Sequence, residues 1–185
     1  MLYNKLNRNC LLYSAAGTNT KGGQTMGSMY EIRCECGYDL RIFHSIGMMY
    51  PLACQGRMKA VRKGQYGEEM KKAARIVPHA ALCCERELLY CPGCGDLTND
   101  TPIRLCAPIG KYKPRTGRFS SGCPNQNGLD YVMGNEIGER YYPVLEKFPV
   151  CRRCNMEMRI VSIDDEHRCP GCGKPVKAKH VGMWD

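Results

Sequence analysis

The stretch Cys151–Gly173, "CRRCNMEMRIVSIDDEHRCPGCG", holds two Cys-x-x-Cys pairs separated by fourteen residues. Two cysteines spaced this way in a tight turn direct both sulfurs to one point, and the N–H groups of the turn face them and offset thiolate charge. A glycine after the second cysteine, as at Gly95 and Gly173, supplies the left-handed backbone by which the chain leaves the turn. Two such turns face to face surround one ion with four sulfurs. Between the pairs, Met156, Met158 and Ile160 alternate with Glu157 and Arg159 in the manner of a strand, and "DDEH" (Asp164 to His167) reads as an acidic hairpin turn.

The same design stands earlier in the chain. "CECG" at Cys34–Gly37 is preceded by Tyr30 and Ile32 and followed by Tyr38, Leu40 and Ile42 at period two, which is a hairpin pattern. A short strand "ELLY" (Glu87 to Tyr90) leads into "CPGCG" at Cys91–Gly95. The expected organisation is a repeat of cysteine hairpin, spacer, cysteine hairpin. Cys34, Cys36, Cys91 and Cys94 would form one site, and Cys151, Cys154, Cys169 and Cys172 the other. The first set departs from the pattern, since one residue rather than two separates Cys34 from Cys36. A tetrahedral all-thiolate set suits zinc, so two zinc ions are expected. Their binding would supply folding energy, on the order of 10–16 kcal/mol in small zinc peptides.

"CRRC" and "CPGCG", with the strands between them, resemble the zinc-ribbon family, also called rubredoxin-like knuckles, over Cys151–Gly173. The opening "MYEIRCECGY" and the closing "CPGCG" are similar to small bacterial proteins with two ribbons, a likeness that implies no activity. The zinc-ribbon resemblance implies a small rigid support for nucleic-acid or protein contacts. Iron, as in rubredoxin, is the rival metal, but the aromatic core that such a likeness implies is missing. A thiol redox protein is a further reading; its dithiol would stand as one pair near a βαβ pattern rather than as two pairs on facing hairpins.

Composition agrees with metal support. The chain has 185 residues and is 43% hydrophobic, yet it holds only 3 Phe and 1 Trp against 14 Cys, 11 Met and 11 Tyr. Few large apolar side chains make burial alone a weak counterweight to chain entropy. The start has no apolar run of secretory type and no stretch approaches a membrane span, so a cytoplasmic location with reduced thiols is expected. The net charge of +9 favours polyanionic partners.

The expected fold class is small α+β, metal-stabilised, with two zinc-ribbon β-hairpin modules and a helical insert in the first. Residues 1–28 read as a disordered leader, 29–107 as the first ribbon and 108–148 as a basic, irregular linker. Residues 149–175 read as the C-terminal ribbon and 176–185 as a flexible tail. "HSIGMMYPLACQGR" reads as a turn-rich connection. In "YGEEMKKAARIV", Tyr66, Met70, Ala73 or Ala74 and Val77 share a helical face, Glu68 and Lys72 form an i,i+4 pair, and Pro78 ends the helix. "NEIGERYYPVLEKFP" holds a short helix broken near Pro143.

Six cysteines fall outside the pairs: Cys10, Cys54, Cys83, Cys84, Cys106 and Cys123. His79 and Cys83, at i,i+4, would chelate on a helix with Cys106 or Cys123; the favoured reading is small buried hydrophobes. His167 reads as solvent-exposed, and His44 and His180 have no evident partner. Asp164, Asp165 and Glu166 read as solvated turn charges.

A four-cysteine site has no open coordination position, and no metalloprotease, phosphate-loop or nucleophile-elbow motif is present, so no enzyme activity is expected. The expected function is nucleic-acid binding through basic surfaces, with no membrane and no small-molecule substrate. Residues 57–75 carry seven basic residues (Arg57, Lys59, Arg62, Lys63, Lys71, Lys72, Arg75) against Glu68 and Glu69. In the loop "GKYKPRTGRFSSG", Lys111, Lys113, Arg115 and Arg118 would hold phosphates while Tyr112 and Phe119 stack on bases. The alternative is a protein–protein adaptor offering Met and Tyr in "GMMYP" (Gly47 to Pro51) or "RYYP" (Arg140 to Pro143).

Overall fold

The period-two pattern around Cys34 produces the expected hairpin. Strands β1 (Gly27–Arg33) and β2 (Asp39–His44) pair antiparallel, with Tyr30 opposite Ile42 and Ile32 opposite Leu40. The computed structural model describes residues 27–47, 50–110 and 131–184, with Pro51 described by its backbone alone. The first twenty-six residues of the expected leader and the basic loop with Lys111, Tyr112, Lys113, Arg115, Arg118 and Phe119 lie outside the described residues, as do Cys10 and Cys123.

Two helices follow, α1 (Tyr50–Arg62) and α2 (Glu68–Ile76). Helix α2 is the one expected, and it buries Met70 and Ala73. Lys71 rather than Lys72 pairs with Glu68, at 2.8 Å. Helix α1 overturns the reading of a turn-rich connection. Pro51 sits in its first turn, where a missing N–H costs nothing. Gly56 in its interior costs about 1 kcal/mol, and the stripe Tyr50, Cys54, Met58 and Val61, buried at helical spacing, offsets that.

Strands β3 (Ala81–Cys83), β4 (Glu87–Tyr90), β5 (Leu97–Asp100) and β6 (Ile103–Pro108) come next. A short 3-10 helix, Gly134–Glu136, precedes β7 (Tyr141–Lys147). The chain ends in β8 (Arg159–Ile160), β9 (Glu166–Arg168), β10 (Pro175–Lys177) and β11 (Lys179–Trp184). The sheets are ordered β11-β1-β2, β10-β9, β3-β6-β7 and β5-β4-β8, all antiparallel. The described residues are therefore mostly β, with two α-helices.

Several expectations are corrected here. Residues 179–184 are a strand paired to β1, not a flexible tail, because β1 needs a second neighbour and the alternating "KHVGMW" supplies it. The described end of the supposed linker is ordered: β7 pairs with β6, and Tyr141 is 1% exposed. "NEIGERYYP" forms a 3-10 turn and a strand rather than an α-helix. Strands β8 and β9 do not pair with each other; β8 joins β4, and β9 joins β10.

The cores explain the arrangement. Helices α1 and α2 bury Tyr50, Cys54, Met58, Val61, Met70 and Ala73 against Leu82, Ile103 and Leu105. The Tyr50 hydroxyl donates to Val132 O and accepts from Cys84 N–H at 3.2 Å, tying the helices to the segment before the 3-10 helix. Adjacent residues of β4 face opposite ways: Leu88 packs with Ile32, Ile42, Leu97, Cys169 and Val176, and Leu89 packs with Cys91, Cys151 and Met158. Strand β4 is the wall between two cysteine centres.

Candidate metal centres

Three of the four cysteine pairs sit in turns closed by the same two backbone bonds. In the Cys91 turn, Cys91 N–H donates to Asp96 O at 2.8 Å and Gly95 N–H to Cys91 O at 2.9 Å. The Cys151 turn repeats this with Met156 O and Asn155 N–H, and the Cys169 turn with Lys174 O and Gly173 N–H, each bond 2.8 Å. Gly95 (φ 75°) and Gly173 (φ 73°) are left-handed, as expected, and Asn155 (φ 63°) takes the position where "CRRCN" has no glycine. Asparagine tolerates that region better than other residues with a Cβ. The Cys34 turn is one residue shorter, closing through Cys34 N–H to Tyr38 O at 2.9 Å and Gly37 N–H to Cys34 O at 3.0 Å.

The eight cysteines form two groups, and the partition differs from the expected one. Cys34 and Cys36 meet Cys169 and Cys172; Cys91 and Cys94 meet Cys151 and Cys154. Within each group all four sulfurs lie within 4.8 Å of one another. Contacts run between turns: Cys34–Cys172, Cys36–Cys169 and Cys94–Cys151 at 3.5 Å, and Cys91–Cys154 at 3.3 Å. In chain order the first turn thus joins the fourth and the second joins the third, one centre nested within the other. The reason is the strand pairing: β8 goes to β4 beside the Cys91 turn, and the chain then crosses to β9–β10 beside the Cys34 turn. The helices consequently lie between turns of different groups.

The donor set fits a tetrahedral metal ion. Thiolate–metal bonds of about 2.3 Å give sulfur–sulfur edges of about 3.8 Å, close to the separations found. They are far beyond a disulfide bond of about 2.05 Å, and all the described cysteines are free thiols. Backbone N–H groups point at the sulfurs, as from Arg153 to Cys151 and from Gly171 to Cys169, both 3.4 Å.

Charge explains why such a cluster calls for a cation. Burial opposes ionisation of Cys91, but hydrogen bonds from Cys154 and from the N–H groups of Cys94 and Gly93 outweigh it and bring the thiol to about 7. At Cys169, burial is likewise outweighed by the N–H groups of Gly171 and Cys172 and by the Cys36 and Cys34 thiols, giving about 7. The companions resist. The Tyr38 N–H favours the Cys36 thiolate, yet neighbouring Cys169 and Cys34, with burial, push it to about 12. Cys94 is pushed to about 12 in the same way, by burial and by Cys151, Cys91 and Cys154, against the Asp96 N–H. Ionising one sulfur raises the cost of ionising the next, and a divalent cation at the centre inverts that balance.

The other candidates resolve into structure. Cys54, Cys83, Cys84 and Cys106 are buried in the cores. Cys83 lies on β3, not on a helix, and accepts from Arg104 at 3.2 Å, while His79 sits exposed in a left-handed turn (φ 54°); the two do not form a chelating helical pair. Among the described residues no third group of His, Cys, Asp or Glu converges as the two cysteine groups do. His167 contacts Ser162 O at 2.9 Å, and His180 packs edge-on against Tyr30. His44 meets Glu87 at 3.3 Å, and Glu87 also holds Arg104 at 3.0 Å. Burial opposes the charged His44 ring, but Glu87 more than compensates, so its pKa is raised. Asp164, Asp165 and Glu166 are exposed around a turn. Of the Met and Tyr residues offered as adaptor contacts, Tyr50 and Tyr141 are core residues, and Met48 and Met49 lie outside the described residues.

No helix among the described residues is long and apolar enough to cross a membrane. Comparison with family models, with curated proteins and with solved structures finds no match for the chain in any of the three.

Proposed function

We propose that the chain is a non-catalytic protein held together by two structural zinc ions, and that it binds nucleic acid through the basic surface of α1 and α2. Four cysteines at each centre fill a tetrahedral ion's coordination and leave no position for substrate or water. Each ion would fasten an N-terminal turn to a C-terminal one, so the metals serve to close the fold.

The observation that carries the binding half is unpaired charge. Lys59, Arg62, Lys63, Lys72 and Arg75 are exposed on the two helices and the turn between them. None has a carboxylate partner among the described residues, whereas Lys71 is held by Glu68. The Lys71 hydrogen bond keeps the Glu68 carboxyl below its usual value, and Lys72 and Arg75 add to that pull. Such a surface suits phosphates, whose contacts release counterions and make affinity fall with salt. The segment with Lys111, Lys113, Arg115 and Arg118, outside the described residues, carries charge of the same sign.

Changing Arg62, Lys63, Lys72 and Arg75 together to Gln tests this. Affinity for a labelled oligonucleotide is expected to drop, and the slope of log K against log salt to shrink by about 3, at somewhat under one unit per lost phosphate contact. Metal content should stay at two ions. An unchanged affinity and slope would remove the helices from the interface.

The adaptor reading has one observation in its favour: Ile76 is 78% exposed at the end of α2, and Val150 and Met156 are exposed beside the Cys151 turn. An apolar partner held there would bind with little dependence on salt.

A further inference from the structure

The basic helices meet only phosphates, but a second surface has the chemistry to meet bases. The register of the β11-β1-β2 sheet puts Met29, opposite Phe43, and Gly27, opposite Trp184, on one face. Ile32 and Ile42 project to the other face, into the core. Phe43 and Trp184 are half-buried, with ring centroids 5.6 Å apart and planes at 80°. Their orientation is fixed. The indole N–H donates to His44 O at 3.1 Å, and a Cβ at Gly27 would collide with the indole, so the ring lies directly on the strand. Gly182, opposite Met29, keeps the middle of this face low.

Cations flank the rings. The Arg86 guanidinium is 5.6 Å from the Phe43 centroid and 5.9 Å from that of Trp184, and Arg86 is exposed. Arg33 and Arg41 are engaged with Glu31, and Arg33 with Asp39 as well. Arg86 and Lys179 have no carboxylate partner among the described residues and remain available to an anion. Half-buried aromatic rings beside cations without a carboxylate partner suit single strands, whose bases offer π faces that a duplex hides.

We propose that this outer sheet face, centred on Phe43, Trp184 and Arg86, is a stacking platform for unpaired bases, so that the protein prefers single-stranded nucleic acid. The inference rests on the nucleic-acid reading above and adds a site to it. The positive charge of the chain attracts the strand, Arg86 and Lys179 hold its phosphates, and the two rings take the bases with little regard to sequence.

Trp184 is the only tryptophan of the chain, which makes its emission a reporter of this one site. The holo protein would be titrated with oligothymidylate, with a duplex of equal length and with heparin, while anisotropy of labelled ligand reads binding independently. Oligothymidylate is expected to quench Trp184, and duplex and heparin to bind without quenching. Phe43→Leu should weaken oligothymidylate about tenfold and leave heparin unchanged; Arg86→Gln, which disturbs no core residue, should weaken it in the same sense. Oligothymidylate bound with Trp184 emission unchanged would overturn the platform, leave the helix surface standing and reduce the ring cluster to a clamp for β11. Equal quenching by all three ligands would also overturn it. Binding of none of them would overturn the nucleic-acid reading and the platform together.

Discussion

A Cys169→Ser variant is expected to lose cooperative thermal unfolding. Cys169 is 2% exposed and belongs at once to a thiolate group and to the core that holds Ile32, Ile42 and Leu88. Serine there removes one ligand of four and buries a hydroxyl among apolar side chains. A structural zinc is worth on the order of 10–16 kcal/mol in small zinc peptides, as much as the whole stability of an ordinary domain, about 5–15 kcal/mol. Loss of that ion detaches the β9–β10 hairpin from β1 and β2. Calorimetry checks it: a variant that melts as the parent does, with the same metal content, would contradict the structural role.

Leu88→Ala is the second large effect. Leu88 is fully buried on β4 and packs toward the centre built on Cys34 and Cys169, while its neighbour Leu89 packs toward the other. Truncating a buried leucine removes its transfer energy and leaves a cavity, about 3 kcal/mol in total, or a fall in Tm of roughly 10 °C for a chain of this size. Metal content should stay at two ions, because no ligand is touched. A change below about 1 kcal/mol would mean that β4 is not the shared wall between the centres.

The parts legible in the sequence are those set by local chemistry. The period-two runs around Cys34–Gly37 and before Cys91, the amphipathic face of α2, and the left-handed glycines at Gly95 and Gly173 all depend on near neighbours. So did the eight cysteines that converge. Their partition was not legible, because four cysteine turns of like chemistry can be paired in more than one way. What decides is the pairing of β8 with β4, across dozens of residues, and the packing of the local β9–β10 hairpin against the core of β1 and β2. Helix α1 was hidden by Pro51 and Gly56. The signal that would have shown it is Tyr50, Cys54, Met58 and Val61 at helical spacing, once cysteine and methionine are counted as apolar. The strand β11 was hidden by the lysines around it, since an edge strand exposes most of its side chains. Asn155 in place of a glycine is the same turn in a less familiar form.

The nested partition of the eight cysteines can be read ion by ion. Cadmium NMR of the metal-exchanged protein correlates each bound ion, through sulfur, with the β-protons of its own cysteines. One ion should connect to Cys34, Cys36, Cys169 and Cys172, and the other to Cys91, Cys94, Cys151 and Cys154. An ion connected to Cys34, Cys36, Cys91 and Cys94 would contradict the fold described above.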